Sequence, residues 1–155
     1  MKLRFLLPIL FVFFLSVSCN SDDDTPETKQ ITADLILGKW QLQSIVKDGN
    51  TQELSECNLL DTNEYFDDCS YSDTSYRFEN NTQGNDCIVS EDSFTGNWTN
   101  LENGMYTFAD GEGNSFQNGV DFPNDTTLKI TVVDEYTSNN GDLVTETFVF
   151  TYSKI

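Results

Sequence analysis

Leu143-Val144-Thr145-Glu146-Thr147-Phe148-Val149-Phe150-Thr151-Tyr152-Ser153-Lys154 is the stretch that decides the fold. Polar and apolar residues alternate along it, so Phe148, Phe150 and Tyr152 fall on one face and Thr147, Val149, Thr151 and Ser153 on the other. A two-residue period is that of a half-buried strand. Upstream, Leu128, Ile130 and Val132 alternate in the same way with Lys129, Thr131 and Val133. Between the two runs lies Asn139-Asn140-Gly141-Asp142. Asn-Gly readily supplies the positive φ angles of a tight turn, so the runs are expected to form a hairpin.

Further back the signal repeats in shorter pieces. Trp40, Leu42, Ser44 and Val46 share a face in a first strand. Tyr76 and Phe78, Phe94 and Trp98, Tyr106 and Phe108, and Phe116 and Val120 mark others. No long amphipathic pattern exists, and a helical turn finds room only at Ala33 to Leu37 or in the irregular stretch Leu54 to Asp68. The fold class is therefore all-β. Seven or eight short antiparallel strands in succession most simply give an up-and-down meander, which closes into a barrel of about eight strands and so removes its edges. A two-sheet sandwich is the alternative.

The start of the chain has a different character. Lys2 and Arg4 precede a run from Phe5 to Val17 that is apolar apart from Pro8 and Ser16. It is short for a membrane span and has the layout of a signal peptide, residues 1–18. Leu15-Ser16-Val17-Ser18-Cys19 then resembles a lipobox, which implies cleavage after Ser18 and lipidation of Cys19 by palmitate-type chains. Asn20-Ser21-Asp22-Asp23-Asp24 resembles the export signal of Bacteroidetes-type surface lipoproteins. The expected location is the outer membrane, at the cell surface, with a periplasm-facing protein as the alternative. Residues 19–31 have too little apolar content to offset ordering entropy and read as a flexible acidic tether. One domain, residues 32–155, follows.

The chain holds 8 basic and 26 acidic residues for a formal charge of −18. Loss of Lys2 and Arg4 with the signal peptide takes this to −20. Such a field repels phosphates and anionic headgroups, so nucleic acid is excluded as a partner and membrane attachment falls to the Cys19 lipid. Beyond Cys19 three cysteines remain, Cys57, Cys69 and Cys87, in a compartment where disulfides persist. One bridge and one spare thiol is the simplest outcome.

Gly38-Lys39-Trp40, a Gly-x-Trp opening the first strand, resembles the start of lipocalin-type barrels, and Gly96-Asn97-Trp98 repeats it midway. Between them Cys69, Asp73, Tyr76, Phe78, Asn81, Thr82, Gly84 and Cys87 fall much as in the lipocalin-like lipoprotein domains. Thr151-Tyr152-Ser153-Lys154 is similar to the family's last strand. The resemblance spans Leu35 to Ile155, with Leu54 to Asp68 and its extra Cys57 as an acidic insert. It implies a lipocalin-like barrel whose leading tryptophan packs across a closed end. A bridge between Cys69 and Cys87 is expected, worth about 3 kcal/mol through the unfolded state, with Cys57 and Cys87 as the rival pair. Plain core packing accounts for both tryptophans at least as well as ligand contact.

The chain has no histidine, the commonest general base and zinc ligand. No serine or carboxylate pair stands at a motif spacing that predicts a nucleophile or a glycosidase couple. No enzyme and no cofactor are expected. Asp110-Gly111-Glu112-Gly113-Asn114 places oxygen ligands at alternate positions, but the further acid of a calcium loop is missing, so Asp110, Glu112 and Asn114 are only a weak calcium candidate. Asp61 to Asp68 is weaker still. Asp125-Thr126-Thr127 resembles an O-glycosylation acceptor in a turn. Two functional classes remain. In the first, inward-facing Trp40, Phe78, Trp98, Phe108, Phe148, Phe150 and Tyr152 line a cup for a small apolar ligand. In the second, those rings fill the barrel and its polar loops meet a protein or glycan.

Overall fold

The computed structural model describes residues 33–79 and 86–155. The signal segment, Cys19, the acidic run and Asn81, Thr82 and Gly84 lie outside the described residues. In chain order the strands are β1 (Gly38–Lys47), β2 (Asn50–Thr51), β3 (Thr62–Tyr65), β4 (Ser70–Thr74), β5 (Tyr76–Phe78), β6 (Cys87–Val89), β7 (Phe94–Asn100), β8 (Met105–Asp110), β9 (Ser115–Asn124), β10 (Thr127–Thr137) and β11 (Leu143–Lys154). Eight of them, β1, β3, β4, β7, β8, β9, β10 and β11, form an antiparallel meander, and β11 pairs back onto β1. The sheet is thus a closed eight-stranded barrel, and no main-sheet edge strand remains except the two-residue β2. Among the described residues the one helical element is a 3-10 turn at Asn58–Leu60, and none is a helix long and apolar enough to cross a membrane.

The expected terminal hairpin forms in full register from Thr127↔Ser153 to Thr137↔Leu143. Gly141 takes φ 86° and donates its N–H to the Ser138 carbonyl, as the Asn-Gly reading required. The first strand departs from its expected face. A register shift between Leu42 and Ser44 turns the strand, so Trp40 and Leu42 point inward but Ile45, not Ser44 or Val46, packs on the core beyond the bulge.

Two further expectations are corrected. Tyr76 and Phe78 do not lie in the barrel wall: β5 pairs only with β6 in a two-stranded side hairpin. The stretch Leu54 to Asp68, taken as an insert, supplies β3, which stands between β1 and β4 in the wall. Its Phe66–Cys69 turn is closed by Phe66 N–H to Ser70 O at 3.0 Å, by Asp68 Oδ1 accepting from the Ser70 amide and hydroxyl, and by Cys69 at φ 66°.

The disulfide follows from this geometry. Cys69 sits in the turn before β4, whereas Cys87 hangs from the side hairpin beyond that strand's far end. Cys87 bonds instead to Cys57, 30 residues away, with Cα atoms 5.3 Å apart. The expected spare thiol is also absent among the described residues, where no cysteine is free. Closing a loop of that length contributes about 3.5 kcal/mol in the chain-entropy picture and pins the side hairpin to the segment leading into β3.

Candidate ligand-binding cavity

The inward faces of the eight strands make one aromatic core, but it is filled unevenly. At one end Ile36, which precedes β1, and Trp40 and Leu128 are wholly buried. The Trp40 indole N–H donates to the Ile36 carbonyl at 2.7 Å, and the Lys154 ammonium lies 5.0 Å above the same ring. Asp34 secures this end. One carboxylate oxygen accepts from the Tyr106 hydroxyl at 2.7 Å and the other from the Asn100 amide at 2.7 Å. Burial, together with the hydrogen bond to Asp34, pushes the Tyr106 phenol well above its ordinary pKa. The segment before β1 thus plugs the barrel with an apolar side chain and a satisfied carboxylate.

Toward the other end the rings stand apart around a partly open cavity of about 180 Å³. Phe94, Phe108, Phe116 and Phe150, with Ile130 and Val132, form its apolar wall. Tyr65, Tyr71 and Tyr152, with Asn63, Asp73 and Asn118, bring polar atoms to it. The Tyr71 ring meets Phe94 and Phe108 edge-on at 5.7 and 5.6 Å between centroids. Gly96 makes room for it, because a Cβ there would stand 2.8 Å from Tyr71 Cε1 and 2.1 Å from the Ala109 carbonyl oxygen. That is the reason for glycine in the second Gly-x-Trp. In the first, Gly38 takes φ 116°, which side chains rarely adopt.

Of the seven aromatic residues singled out in the sequence, the cavity gathers Phe108, Phe150 and Tyr152. Trp40 belongs to the plugged end. Trp98 is packed between Tyr65 and Tyr106 and donates its indole N–H to the Ser70 carbonyl at 3.1 Å. Phe148 stacks on Phe150 at 6.2 Å but lies outside the lining, under the Lys47 ammonium. Phe78 is on the side hairpin, 41% exposed. The residues not foreseen, above all Asn63, Tyr65, Tyr71 and Asp73, come from β3 and β4. Their signal was the alternation Asn63-x-Tyr65 and Tyr71-x-Asp73 on either side of the Phe66–Cys69 turn.

The polar side of the cavity is electrostatically unusual. Asp73 is half-buried and takes a hydrogen bond from the Ser75 hydroxyl at 3.1 Å. With its amide nitrogen turned toward Asp73, the orientation that satisfies both ends of the group, Asn63 donates to Asp73 Oδ2 at 2.8 Å and to the Thr62 carbonyl. The ion pairs among the described residues, Lys39–Glu64, Lys47–Glu146 and Arg77–Glu91, leave Asp73 without a cation. Burial and then nearby Asp61 push its pKa up to about 6, against the opposing Ser75 hydrogen bond. The Tyr71 hydroxyl is sealed from solvent and has no hydrogen-bond partner among the described residues. Burial and the Asp73 charge raise its pKa to about 12, so it stays a neutral phenol.

In the weak calcium candidate, Asp110 and Asn114 are hydrogen-bonded to each other. Asp110 Oδ1 accepts from the Glu112 and Asn114 amides and Oδ2 from the Asn114 side chain, which holds its carboxyl below the usual range and closes the β8–β9 turn. No cluster of three or more acidic or cysteine side chains suited to a metal occurs among the described residues. Thr126 is exposed in the β9–β10 turn, its hydroxyl bound to Asn124.

The fold is a closed eight-stranded antiparallel barrel with one end plugged and a cavity toward the other. The model of the lipocalin-like domain matches residues 36–130, more than half of the chain, and the chain belongs to that family. No curated protein matches it in sequence. Among solved structures it is similar to Odorant Binding Protein OBP1, at 16% identity and a TM-score of 0.45 over 78% of this chain and 72% of that one. It is similar also to aphrodisin, a sex pheromone from female hamster, at 17% identity and a TM-score of 0.39 over 77% of this chain and 75% of that one.

Proposed function

We propose that the barrel holds one small, mostly apolar molecule and carries out no chemistry on it. The observation that supports this reading is the space left among Phe94, Phe108, Phe116, Ile130 and Phe150. Aromatic rings that could have filled the barrel stand around about 180 Å³ instead. An apolar cavity of roughly 150 Å³ is large enough to take up benzene, so the ligand, or the part of it that enters, has the size of a single substituted ring or a short branched chain. A solid scaffold that binds only through its loops would have no use for this space. The whole molecule would sit on a Cys19 lipid anchor at the outer membrane, displayed at the surface through the acidic run Asp22 to Asp24.

Titration with toluene, followed by calorimetry, tests the cavity. The expected outcome is saturable uptake of one molecule, with a Kd on the order of 0.1–1 mM for a ligand this small. Phe150→Trp should abolish uptake while the barrel stays folded. A folded protein that takes up no toluene would eliminate the ligand-binding reading. For the anchor, labelled fatty acid should enter the wild type and not Cys19→Ala; an unlabelled wild type would rule out lipidation.

A further inference from the structure

Resting on the ligand-binding reading above, we infer that the cavity selects a compact protonated amine, its apolar body among the aromatic rings and its ammonium against the Asp73 carboxylate. Three features carry this. Asp73 lines the cavity with two neutral donors, Ser75 Oγ and the Asn63 amide, and no cation among the described residues. A half-buried carboxylate so placed is costly until a positive partner arrives.

The wall that continues from Asp73 along β7, β8 and β9 is also suited to a cation. Phe94, Phe108 and Phe116 present aromatic rings, whose faces attract ammonium groups by about 0.5–2 kcal/mol when desolvated. Finally, a formal charge of −18 concentrates cations and repels carboxylates around the whole molecule. An anionic ligand would meet this field and Asp73 together. A neutral hydrocarbon would leave the Asp73 charge without a cation.

Calorimetric titration at pH 8 with benzylamine, toluene and benzoate separates the possibilities, in 0.15 M salt to screen surface association. Benzylamine should bind at least tenfold more tightly than toluene, and benzoate should not bind. Asp73→Asn removes only one of 26 acidic residues, so it should erase the amine preference if this carboxylate, and not the overall field, selects the amine. Equal affinity for benzylamine and toluene in the wild type, which needs no variant, would overturn the amine assignment and leave the cavity reading standing. So would an amine preference unchanged in folded Asp73→Asn. Failure of both benzylamine and toluene to bind would overturn both.

Discussion

The two ends of the barrel interior are made from the same kinds of residue and end in opposite states. Around Trp40 a half-buried carboxylate, a phenol and an indole all have partners: Asp34 takes the Tyr106 hydroxyl and the Asn100 amide, and Trp40 gives its N–H to Ile36. Around Tyr71, among the described residues, a carboxylate lacks a cation, a phenol lacks a hydrogen-bond partner, and the rings enclose space. Buried polar groups are normally satisfied, so the first end reads as the part that holds the fold. The second keeps a carboxylate whose cost a bound cation would offset, and such local departures from good packing tend to mark function.

The sharpest way to break this contrast is to truncate one large ring at each end. Trp40→Ala should cost about 3–5 kcal/mol in urea unfolding, whereas Phe116→Ala, at a residue 42% exposed beside the cavity, should cost under about 1.5 kcal/mol. Equal losses would mean that the cavity end is packed as tightly as the plug. Next in size, replacing Cys57 and Cys87 together by serine should lower stability by about 2–4 kcal/mol. Because the bridge lies outside both ends, toluene affinity should not change; a loss there would tie the side hairpin to the site. Asp34→Ala leaves the Tyr106 hydroxyl and Asn100 amide short of an acceptor and should cost about 1–3 kcal/mol. A neutral result would mean that the segment before β1 does not latch the barrel.

The smallest effect has the opposite sign. Asp73 titrates at about 6 in the folded protein against 3.8 for a free carboxyl. Below pH 4 it is protonated in both states and costs nothing. As pH rises toward 6 the unfolded chain releases its proton first, so folding stability falls, by on the order of 1–2 kcal/mol, and levels off above pH 7. Asp73→Asn has no such proton to lose. It should match the wild type near pH 4 and be the more stable of the two at pH 8. A stability difference that does not vary with pH would show that the carboxylate is not strained in its place.

How much of this could be read beforehand depends on where each signal lay. The β10–β11 hairpin was plain because Phe148 to Tyr152 and Leu128 to Val132 alternate without interruption and Gly141 marks the turn. Barrel closure followed from strand count, and both Gly-x-Trp motifs mark real constraints, one of conformation and one of space. The site was half hidden. Phe108, Phe150 and Tyr152 showed as apolar positions of clear strands, but Asn63 and Asp73 are polar residues facing inward, which an alternation of apolar with polar assigns to the outside. The short strand β3, in a stretch crowded with acids and holding Cys57, read as part of an insert for that reason. The bulge after Leu42 moved the inward position from Ser44 to Ile45, and a one-residue shift of that kind leaves no mark in a period-two pattern. Disulfide pairing depended on the side hairpin, which the sequence placed in the wall.

The most direct test of a hollow end beside a solid one is nuclear Overhauser spectroscopy of the protein saturated with toluene. Cross-peaks from toluene to Phe108, Ile130 and Phe150, with none to Trp40 or Leu128, are the expected result. Cross-peaks confined to surface residues, or none at all, would show that the space among the rings does not receive a ligand.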